Sequence, residues 1–440
     1  MQALFYGIAD HVIKNLRKDE VVLLTFDGEE SAFTRFNHAK VRQAGSVTQQ
    51  DLGIDLIRGR RHAEARIALG GEPRGDQEKV GKLIDELRGR LDFLPEDPHL
   101  LYATEVHSTD RAGEDRLAPA PEAVAAVLEE AAGRDAVGIY AQGPIYRGFA
   151  NSLGQKNWFS TRTFNLEWCF YLRDDKAVKA DYAGFDWDRN ALKRKMEAAA
   201  QQLALLDKPP MTIQPGKYRA YVAPKALEEI TNLLNWGGFG MKDHKAKISP
   251  LIRMTEGDDT LHAAVTMREN TKEGVAPNFD QMGFVKPDTV VLIQGGRFKD
   301  YLVSPRSAKE YSVPTNGAAS FEATSSFDMA AGDIPNEEIL QRLGTGLYIN
   351  NLWYLNYSDR PACRITGMTR FATFWVANGQ YAAPLNVMRF DESIYRLLGS
   401  NLIGLTRDRA MILSSETYGG RQVSSNRLPG ALVEDFALTL

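Results

Sequence analysis

The chain has 440 residues, of which 43% are hydrophobic and 25% charged, a composition typical of a globular protein with two or three domains. Its net charge of −4 gives no electrostatic reason to expect nucleic acid or an anionic membrane as a partner. No apolar run approaches the roughly 20 residues of a membrane helix, and the two cysteines exclude a disulfide framework, so we expect a cytoplasmic protein without a signal peptide.

The first half of the chain predicts an α+β domain with helices and an antiparallel sheet. Apolar residues at helical spacing indicate helices at 2–17, 76–93 and 121–133, and a fourth that Asp186 caps. Apolar runs and alternation indicate strands at 21–26, 32–43, 47–58 and 62–69, with turns at Gly45 and at Gly59-Arg60. Further strands are predicted at 136–141, 146–151, 158–172 and 177–182. The proline-rich segment 208–216 indicates a boundary between domains 1–208 and 209–440.

The second half predicts a β-rich domain. A strand at 218–222 precedes a helix at 224–235 that Pro224 opens. Strands are predicted at 260–268, 289–293, 297–303, 320–328, 345–355, 369–377 and 380–388, and short helices at 305–311, 335–343 and 393–398. Asn378-Gly379 suits the positive φ angles of a type I′ turn, so 369–388 predicts a β-hairpin. The chain approaching this hairpin is rich in aromatic residues and arginines.

The seven histidines lack the spacing of a metal site on one helix. They are His11, His38, His62, His99, His107, His244 and His262, and no two lie three to five residues apart. Because such a zinc site needs two imidazoles on the same helix face, the sequence predicts none. His38 and His62, on predicted strands, are expected at the surface. A site assembled from distant histidines stays open as the less favoured alternative.

The two cysteines occupy different settings. Cys169, flanked by aromatic residues on a predicted strand, is expected in the core. Cys363 lies near Arg360 and Arg364, a setting that lowers the pKa of a thiol. A catalytic cysteine also needs an imidazole partner, and no histidine follows His262 in the sequence. A structural role is therefore favoured for Cys363, with a Cys363-dependent hydrolase as an alternative.

Several motifs resemble those of one protein family. They are Ser31-Ala32-Phe33-Thr34-Arg35-Phe36-Asn37, Asn151-Ser152-Leu153-Gly154, Ala276-Pro277-Asn278-Phe279-Asp280, Gly346-Leu347-Tyr348-Ile349 and Thr366-Gly367-Met368-Thr369-Arg370. In this order, over nearly the whole chain, they resemble the TldD/PmbA family, whose members carry the older description of modulators of DNA gyrase. The likeness is greater to its TldE (PmbA) branch. The resemblance implies an α+β N-terminal domain, a β-rich C-terminal domain and dimers that enclose a cavity.

The resemblance also implies two kinds of subunit, one catalytic and one non-catalytic. Catalytic TldD-type members are similar to zinc peptidases, with a His-Glu-x-x-x-His helix early in the second domain and a cysteine ligand near the C-terminus. Here the helix 224–235 has no histidine, and the loop 414–425, with Tyr418-Gly419-Gly420, has no cysteine. We therefore expect no metal and no catalytic residue in this chain. Zinc is expected in a TldD-like partner.

The resulting hypothesis is a TldE-like, non-catalytic subunit of a heteromeric zinc metallopeptidase that degrades or processes unfolded or extended peptides. Asn351, Thr369 and Arg370, which flank the predicted hairpin, are the candidate contacts to the peptide; bracing the hairpin or a dimer interface is the alternative role for them. Two other functions stay open: a peptide-binding or scaffolding homodimer without catalysis, and the Cys363-dependent hydrolase.

Overall fold

The computed structural model describes residues 1–174, 176–417 and 419–440 and arranges them around two β-sheets. The first sheet contains β1 (Val21–Asn37), β2 (Lys40–Arg58), β3 (Arg61–Ala68), β4 (Thr109–Ala112), β5 (Asp135–Asn151), β6 (Lys156–Arg173) and β7 (Lys176–Gly184). The strands follow the order β3-β2-β1-β5-β6-β4, and β7 also pairs with β6. All of these pairings are antiparallel except that of β4 with β6. The expected antiparallel sheet of an α+β fold is thus confirmed.

Among the described residues, four helices cover the first sheet. They are α1 (Gln2–Lys14), α2 (Pro73–Leu91), α3 (Ala120–Glu130) and α4 (Arg189–Leu205). Helices α1 and α2 share a core cluster with β1, β2 and β3, in which Phe5 and Val80 pack with Leu24. Helices α3 and α4 share another with β5, β6 and β7, in which Leu192 packs with Phe164. Burying these apolar stripes is the main favourable term for the N-terminal half.

The second sheet is built from the rest of the chain. Its strands are β8 (Gly216–Val222), β9 (Met267–Glu269), β10 (Val290–Gln294), β11 (Arg297–Phe298), β12 (Ser326–Met329), β13 (Gly346–Asp359), β14 (Arg364–Ala377), β15 (Gln380–Pro384), β16 (Arg389–Ser393), β17 (Leu402–Leu413) and β18 (Ser425–Leu438). Its helices are α5 (Pro224–Leu234), α6 (Met241–Lys245), α7 (Ile252–Glu256), α8 (Pro305–Tyr311) and α9 (Ile339–Leu343), with a 3₁₀ turn at Asn336–Glu338 and a π-helical turn at Arg396–Ser400. Most of the sequence-predicted strands and short helices of this half are present.

Strand β18 holds the second sheet together, although the sequence pattern did not predict it. It pairs with β8, β12, β16 and β17. Neither β17 nor β18 alternates cleanly: β17 contains Arg407-Asp408-Arg409, and β18 contains Pro429-Gly430, which predict a break. Tertiary pairing overrides these local signals.

The first hairpin turns at a different place from the one that the glycines predicted. The turn between β1 and β2 lies at His38 and Ala39, both with positive φ, rather than at Gly45. Gly45 is a strand residue, and a Cβ there would lie 3.0 Å from the Phe33 ring. The glycine therefore marks a close side-chain approach, not a turn.

Other expectations also need correction. Residues 260–266 form no strand, because their backbone groups bond singly to loops, as in the Leu261 N–H to the Gly296 carbonyl. The predicted strand at 297–303 shrinks to β11. Helix α4 is capped by Asp188, whose carboxylate accepts the N–H of Asn190, and not by Asp186. The Asn378-Gly379 turn between β14 and β15 is confirmed, with both residues at positive φ. The division into domains 1–208 and 209–440 stays a prediction.

Candidate functional site

Helix α5 occupies the position at which the resemblance expects a zinc-binding helix. It packs against β13 and β18. Pro224 occupies its first turn, and Ala226, Leu227 and Ile230 are buried in the core of the second sheet. Lys225 and Glu229 lie near charged residues of the first sheet, whereas Glu228 is buried next to Asn426 of β18.

These charges form a partly buried ion-pair network. The Lys225 Nζ lies 2.5 Å from the Glu228 Oε2, and the Asn426 Nδ2 donates to the Glu228 Oε1 at 2.9 Å. Burial opposes the charge on Lys225, but Glu228 and Asp181 raise its pKa above the usual value. Burial raises the pKa of Glu229, and Lys225 offsets part of that rise. The network therefore supplies a fixed, largely buried ammonium–carboxylate pair on α5.

A cavity of about 470 Å³ opens between the first sheet and the C-terminal loop. Glu167 and Cys169 of β6 line it, together with Ser415–Thr417 and two arginines of the first hairpin. The Lys179 Nζ of β7 lies 2.9 Å from the Glu167 carboxylate. Glu167 therefore lines the cavity as a carboxylate that is already paired with Lys179.

A larger cavity of about 530 Å³ lies between the first sheet and the loops of the second half. Its lining is mixed: apolar residues such as Phe26 and Phe279 alternate with His62, Glu64, Asp97, Arg147, Asp280 and Arg306. Asp280 is 8% exposed, and burial raises its pKa to about 7 although the N–H groups of Phe284 and Met282 donate to it. Mixed apolar and converging charged groups are typical of a ligand pocket.

The comparisons with known proteins identify the family. Residues 215–439 match the model of the PmbA/TldA metallopeptidase C-terminal domain. The chain belongs to the PmbA/TldD family. No curated protein sequence matches it.

Solved structures of PmbA/TldD-like chains share the whole fold. A Thermotoga maritima modulator of a DNA gyrase superposes with a TM-score of 0.77 at 15% identity, covering 99% of this chain and 100% of that one. TldE from Thermococcus kodakarensis gives 0.76 at 15% identity, with 100% of both chains covered. A modulator of DNA gyrase from Bacteroides thetaiotaomicron gives 0.73 at 16%, covering 99% and 98%. At these identities the likeness establishes the fold. Within the described residues, no helix has both the length and the apolar character needed to cross a membrane.

The residues at α5 do not fit the zinc that the name of this metallopeptidase family implies. The helix contains no histidine or cysteine, and the Lys225 ammonium already neutralises Glu228. Zinc in proteins is bound by imidazole, thiolate and carboxylate groups, and an ammonium beside them repels the ion. In the C-terminal loop, Tyr418 lies outside the described residues. Gly419 accepts a hydrogen bond from the Gln49 side chain through its carbonyl.

The predicted peptide contacts lie together at the junction of β13, β14 and β7. Asn351 pairs with Arg370 across the strands, and its Nδ2 donates to the Lys179 carbonyl at 3.3 Å. The Thr369 Oγ1 accepts the Met388 N–H at 2.9 Å. Asn351 and Thr369 are buried, whereas the Arg370 guanidinium lies 5.1 Å from the Trp353 ring centre. Of the three, Arg370 is the best placed to meet a ligand; direct contact with a peptide stays a prediction.

The cysteines lie in surroundings that suppress the thiolate. Cys363 is fully buried, and desolvation raises its pKa, with Arg360 offsetting only a part. The expected lowering by neighbouring arginines was therefore wrong, because Arg364 instead pairs with Asp391. Cys169 is half-buried at a cavity wall rather than in the core, and burial raises its pKa to about 11.

The sequence reasoning missed a cluster around His62. The His38 side chain is exposed as expected, but the His62 side chain is only 25% exposed and faces Asp55, Glu64 and Asp97. A signal was available in the chain, because the two-residue turn at Gly59-Arg60 pairs Asp55 with Glu64 across β2 and β3. His62 lies two residues from Glu64 and so shares its face of the sheet.

Proposed function

We propose that this chain is a TldE-like, non-catalytic subunit of a heteromeric TldD/TldE metallopeptidase in the cytoplasm. The observation that carries the proposal is the Lys225–Glu228 ion pair on α5, where the resemblance expects a zinc-binding helix. Its substrates are unfolded or extended peptides, and the zinc belongs to a TldD-like partner. This chain contributes shape, binding surface and charge.

The surface beside Arg370 supports a binding role. Trp353 and Tyr354 follow Asn351 on β13, and Tyr354 is 77% exposed with a positive φ. Their rings lie 5.6 Å apart, and Arg370 lies over one of them. Exposed aromatic rings and a guanidinium are the groups most enriched where proteins bind peptides or subunits. In the proposed complex this surface helps to close the chamber and to hold the peptide as an extended chain.

The geometry of Cys363 argues against the alternative function of a Cys363-dependent hydrolase. A buried thiol with a raised pKa provides neither access nor a thiolate at neutral pH. A scaffolding homodimer without catalysis remains the competing function, because it needs the same exposed aromatic surface and no reactive group.

The experiment compares peptide cleavage by this chain, by its TldD-like partner and by their mixture. We expect a one-to-one complex on size exclusion, zinc in the partner purified alone, and cleavage of an extended peptide only when both chains are present. Cleavage by the isolated chain would overturn the non-catalytic reading. A homodimer that neither binds the partner nor changes its activity would support the scaffold instead.

A further inference from the structure

The hairpin of β2 and β3 brings three side chains that can bind a metal together at the large cavity. This hairpin is distant in sequence from α5. Ligand atoms of Asp55, His62 and Glu64 all lie within 4.8 Å of one another. Asp55 faces Glu64 in the register of the two strands, and His62 lies two residues from Glu64 on β3, diagonally across from Asp55. His62 and Glu64 line the cavity of about 530 Å³.

The distances suit ligands that share one ion. The His62 Nδ1 lies 3.1 Å from the Asp55 Oδ1 and 3.8 Å from the Glu64 Oε1. Ligand atoms about 2.0–2.1 Å from a tetrahedral zinc are separated by roughly 3.3 Å, so small side-chain adjustments place all three around one metal.

The second ring nitrogen of His62 faces a carboxylate, at a distance slightly beyond a hydrogen bond. Its Nε2 lies 3.7 Å from the Asp97 Oδ2, which the Arg306 guanidinium holds at 2.6 Å. A histidine ligand commonly donates its free N–H to a carboxylate, which orients the ring and strengthens its binding. Asp97 comes from a loop and Arg306 from the first turn of α8, far apart in sequence, so this support exists only in the folded chain.

The net negative charge of the side chains around His62 favours binding of a divalent cation. Asp55, Glu64 and Asp97 contribute three negative charges around the imidazole, and Arg306 contributes one positive charge, so −3 + 1 leaves −2. The nearby Arg66 is engaged by Asp27 at 2.9 Å and by Asp51 at 3.7 Å. One divalent ion bound to a neutral His62 balances the remainder.

An independent observation points to a ligand in the same cavity. Asp280, which lines it, has a buried Oδ2 without a hydrogen-bond partner among the described residues, although its Oδ1 accepts two backbone N–H groups. A buried polar atom of this kind costs roughly 1–3 kcal/mol unless a ligand or water satisfies it. Because Asp280, His62 and Glu64 line the same cavity, a ligand or water bound there can provide such a partner.

We propose that Asp55, His62 and Glu64 bind one divalent transition-metal ion such as Zn²⁺, with its remaining coordination positions open to the large cavity. One imidazole with two carboxylates is a ligand set that zinc and neighbouring first-row metals accept. The site is separate from α5, and the inference does not rest on the proposed peptidase role. It gives this chain a metal of its own, contrary to the sequence expectation of none.

The test is calorimetric titration of Zn²⁺ into the isolated full-length chain after EDTA treatment and removal of the chelator. We expect one Zn²⁺ per chain for the wild type, no binding for His62→Ala and at least tenfold weaker binding for Glu64→Gln. Glu64 is mostly exposed, so its variant is expected to fold even where a change at the buried Asp55 fails. Co²⁺ titration gives a second readout, a visible absorption spectrum that His62→Ala abolishes.

The matched control is His38→Ala. His38 also pairs with an aspartate, Asp135 at 2.7 Å, on the neighbouring hairpin, but it does not belong to the three-ligand group found among the described residues. We expect His38→Ala to bind Zn²⁺ like the wild type. Absence of wild-type binding, or unchanged affinity in His62→Ala and Glu64→Gln, would overturn the proposal. Both outcomes are independent of whether a partner supports peptide cleavage.

Discussion

The Arg370 guanidinium illustrates how much of the proposed binding surface depends on one side chain. It lies between the rings of Trp353 and Phe371, at 5.1 and 5.2 Å from their centres, and keeps part of its surface free. Asn351 and Thr369, by contrast, bind backbone groups and help to hold the strands together. At the residue scale, the three predicted contacts therefore divide into one binding candidate and two buried braces.

Replacing Arg370 by Ala is expected to slow peptide cleavage by the mixed complex roughly fivefold. One cation contacting aromatic or carbonyl groups is worth about 1 kcal/mol, and 1.36 kcal/mol corresponds to tenfold. The measurements are kcat/KM of the mixture and size exclusion of the complex, which should remain intact. Arg364→Ala is the control, because Arg364 lies on the same strand but pairs with Asp391. Unchanged turnover in Arg370→Ala would remove this residue from the peptide site.

Asp280 should make stability depend on pH. Burial raises its folded-state pKa to about 7, above the ordinary value of 3.8, so the native chain holds a proton that the unfolded chain has released. The wild type therefore loses stability as the pH rises from about 4 to about 7. Relative to Asp280→Asn, which cannot ionise, we expect a loss of roughly 2–3 kcal/mol between pH 5 and pH 8.

Urea unfolding of both proteins in EDTA measures this difference without interference from bound metal. Asn at position 280 keeps an oxygen that can accept the Met282 and Phe284 N–H groups, so the loop geometry should persist. Parallel pH dependence of the two proteins would show that Asp280 is ionised throughout this range.

At the scale of elements, the start of helix α4 offers two aspartates as the N-cap. The Asp188 carboxylate accepts the Asn190 N–H at 2.8 Å, whereas Asp186 pairs with Arg116 at 3.0 Å. We expect Asp188→Ala to lower the free energy of unfolding by about 1 kcal/mol, the usual loss of an N-cap. Asp186→Ala breaks an exposed ion pair and should cost less than about 0.5 kcal/mol.

Chemical denaturation of the two variants separates these roles. Equal losses, or a larger loss for Asp186→Ala, would contradict the assignment of the cap. Because α4 buries Leu192 and Met196 against β6 and β7, a weakened cap should affect the first turn of the helix and leave its packed centre in place.

For the whole molecule, Arg421 joins the C-terminal loop to the first sheet. Its guanidinium donates to the carbonyls of Gly143 and Thr163, both at 2.8 Å, and its backbone N–H donates to Glu29. Burial lowers its pKa to about 10, which leaves it charged at neutral pH. The two halves of the chain are thus linked by a buried cation with several acceptors.

Arg421→Ala is expected to destabilise the protein by roughly 3 kcal/mol, because it leaves buried carbonyl groups unpaired. It should also speed cleavage of the segment 414–424 in limited proteolysis, since the loop loses its anchor. Arg427→Ala serves as the control: its partner Glu273 is half-exposed, so the loss should stay below about 1 kcal/mol. Equal stability of the two variants would show that the loop is held by other contacts.

Much of the fold could be read from local pattern. The periodicity of α1, α2 and α4, the Asn378-Gly379 turn and the missing histidines of α5 are all properties of short segments, for which side-chain spacing and backbone preference suffice. The turn at His38-Ala39 was missed because glycine is only one route to positive φ.

The long-range arrangement was decided by tertiary structure. Strand β18 forms despite Pro429-Gly430 because four strands pair with it. Burial makes the Cys363 thiol unreactive, although arginines lie nearby in the sequence. The local sequence already determined that Asp55 and Glu64 pair across two neighbouring strands. The approach of Asp97, Arg306 and Asp280 to the same cavity was not encoded locally, because segments from distant parts of the chain meet there only after both sheets have packed.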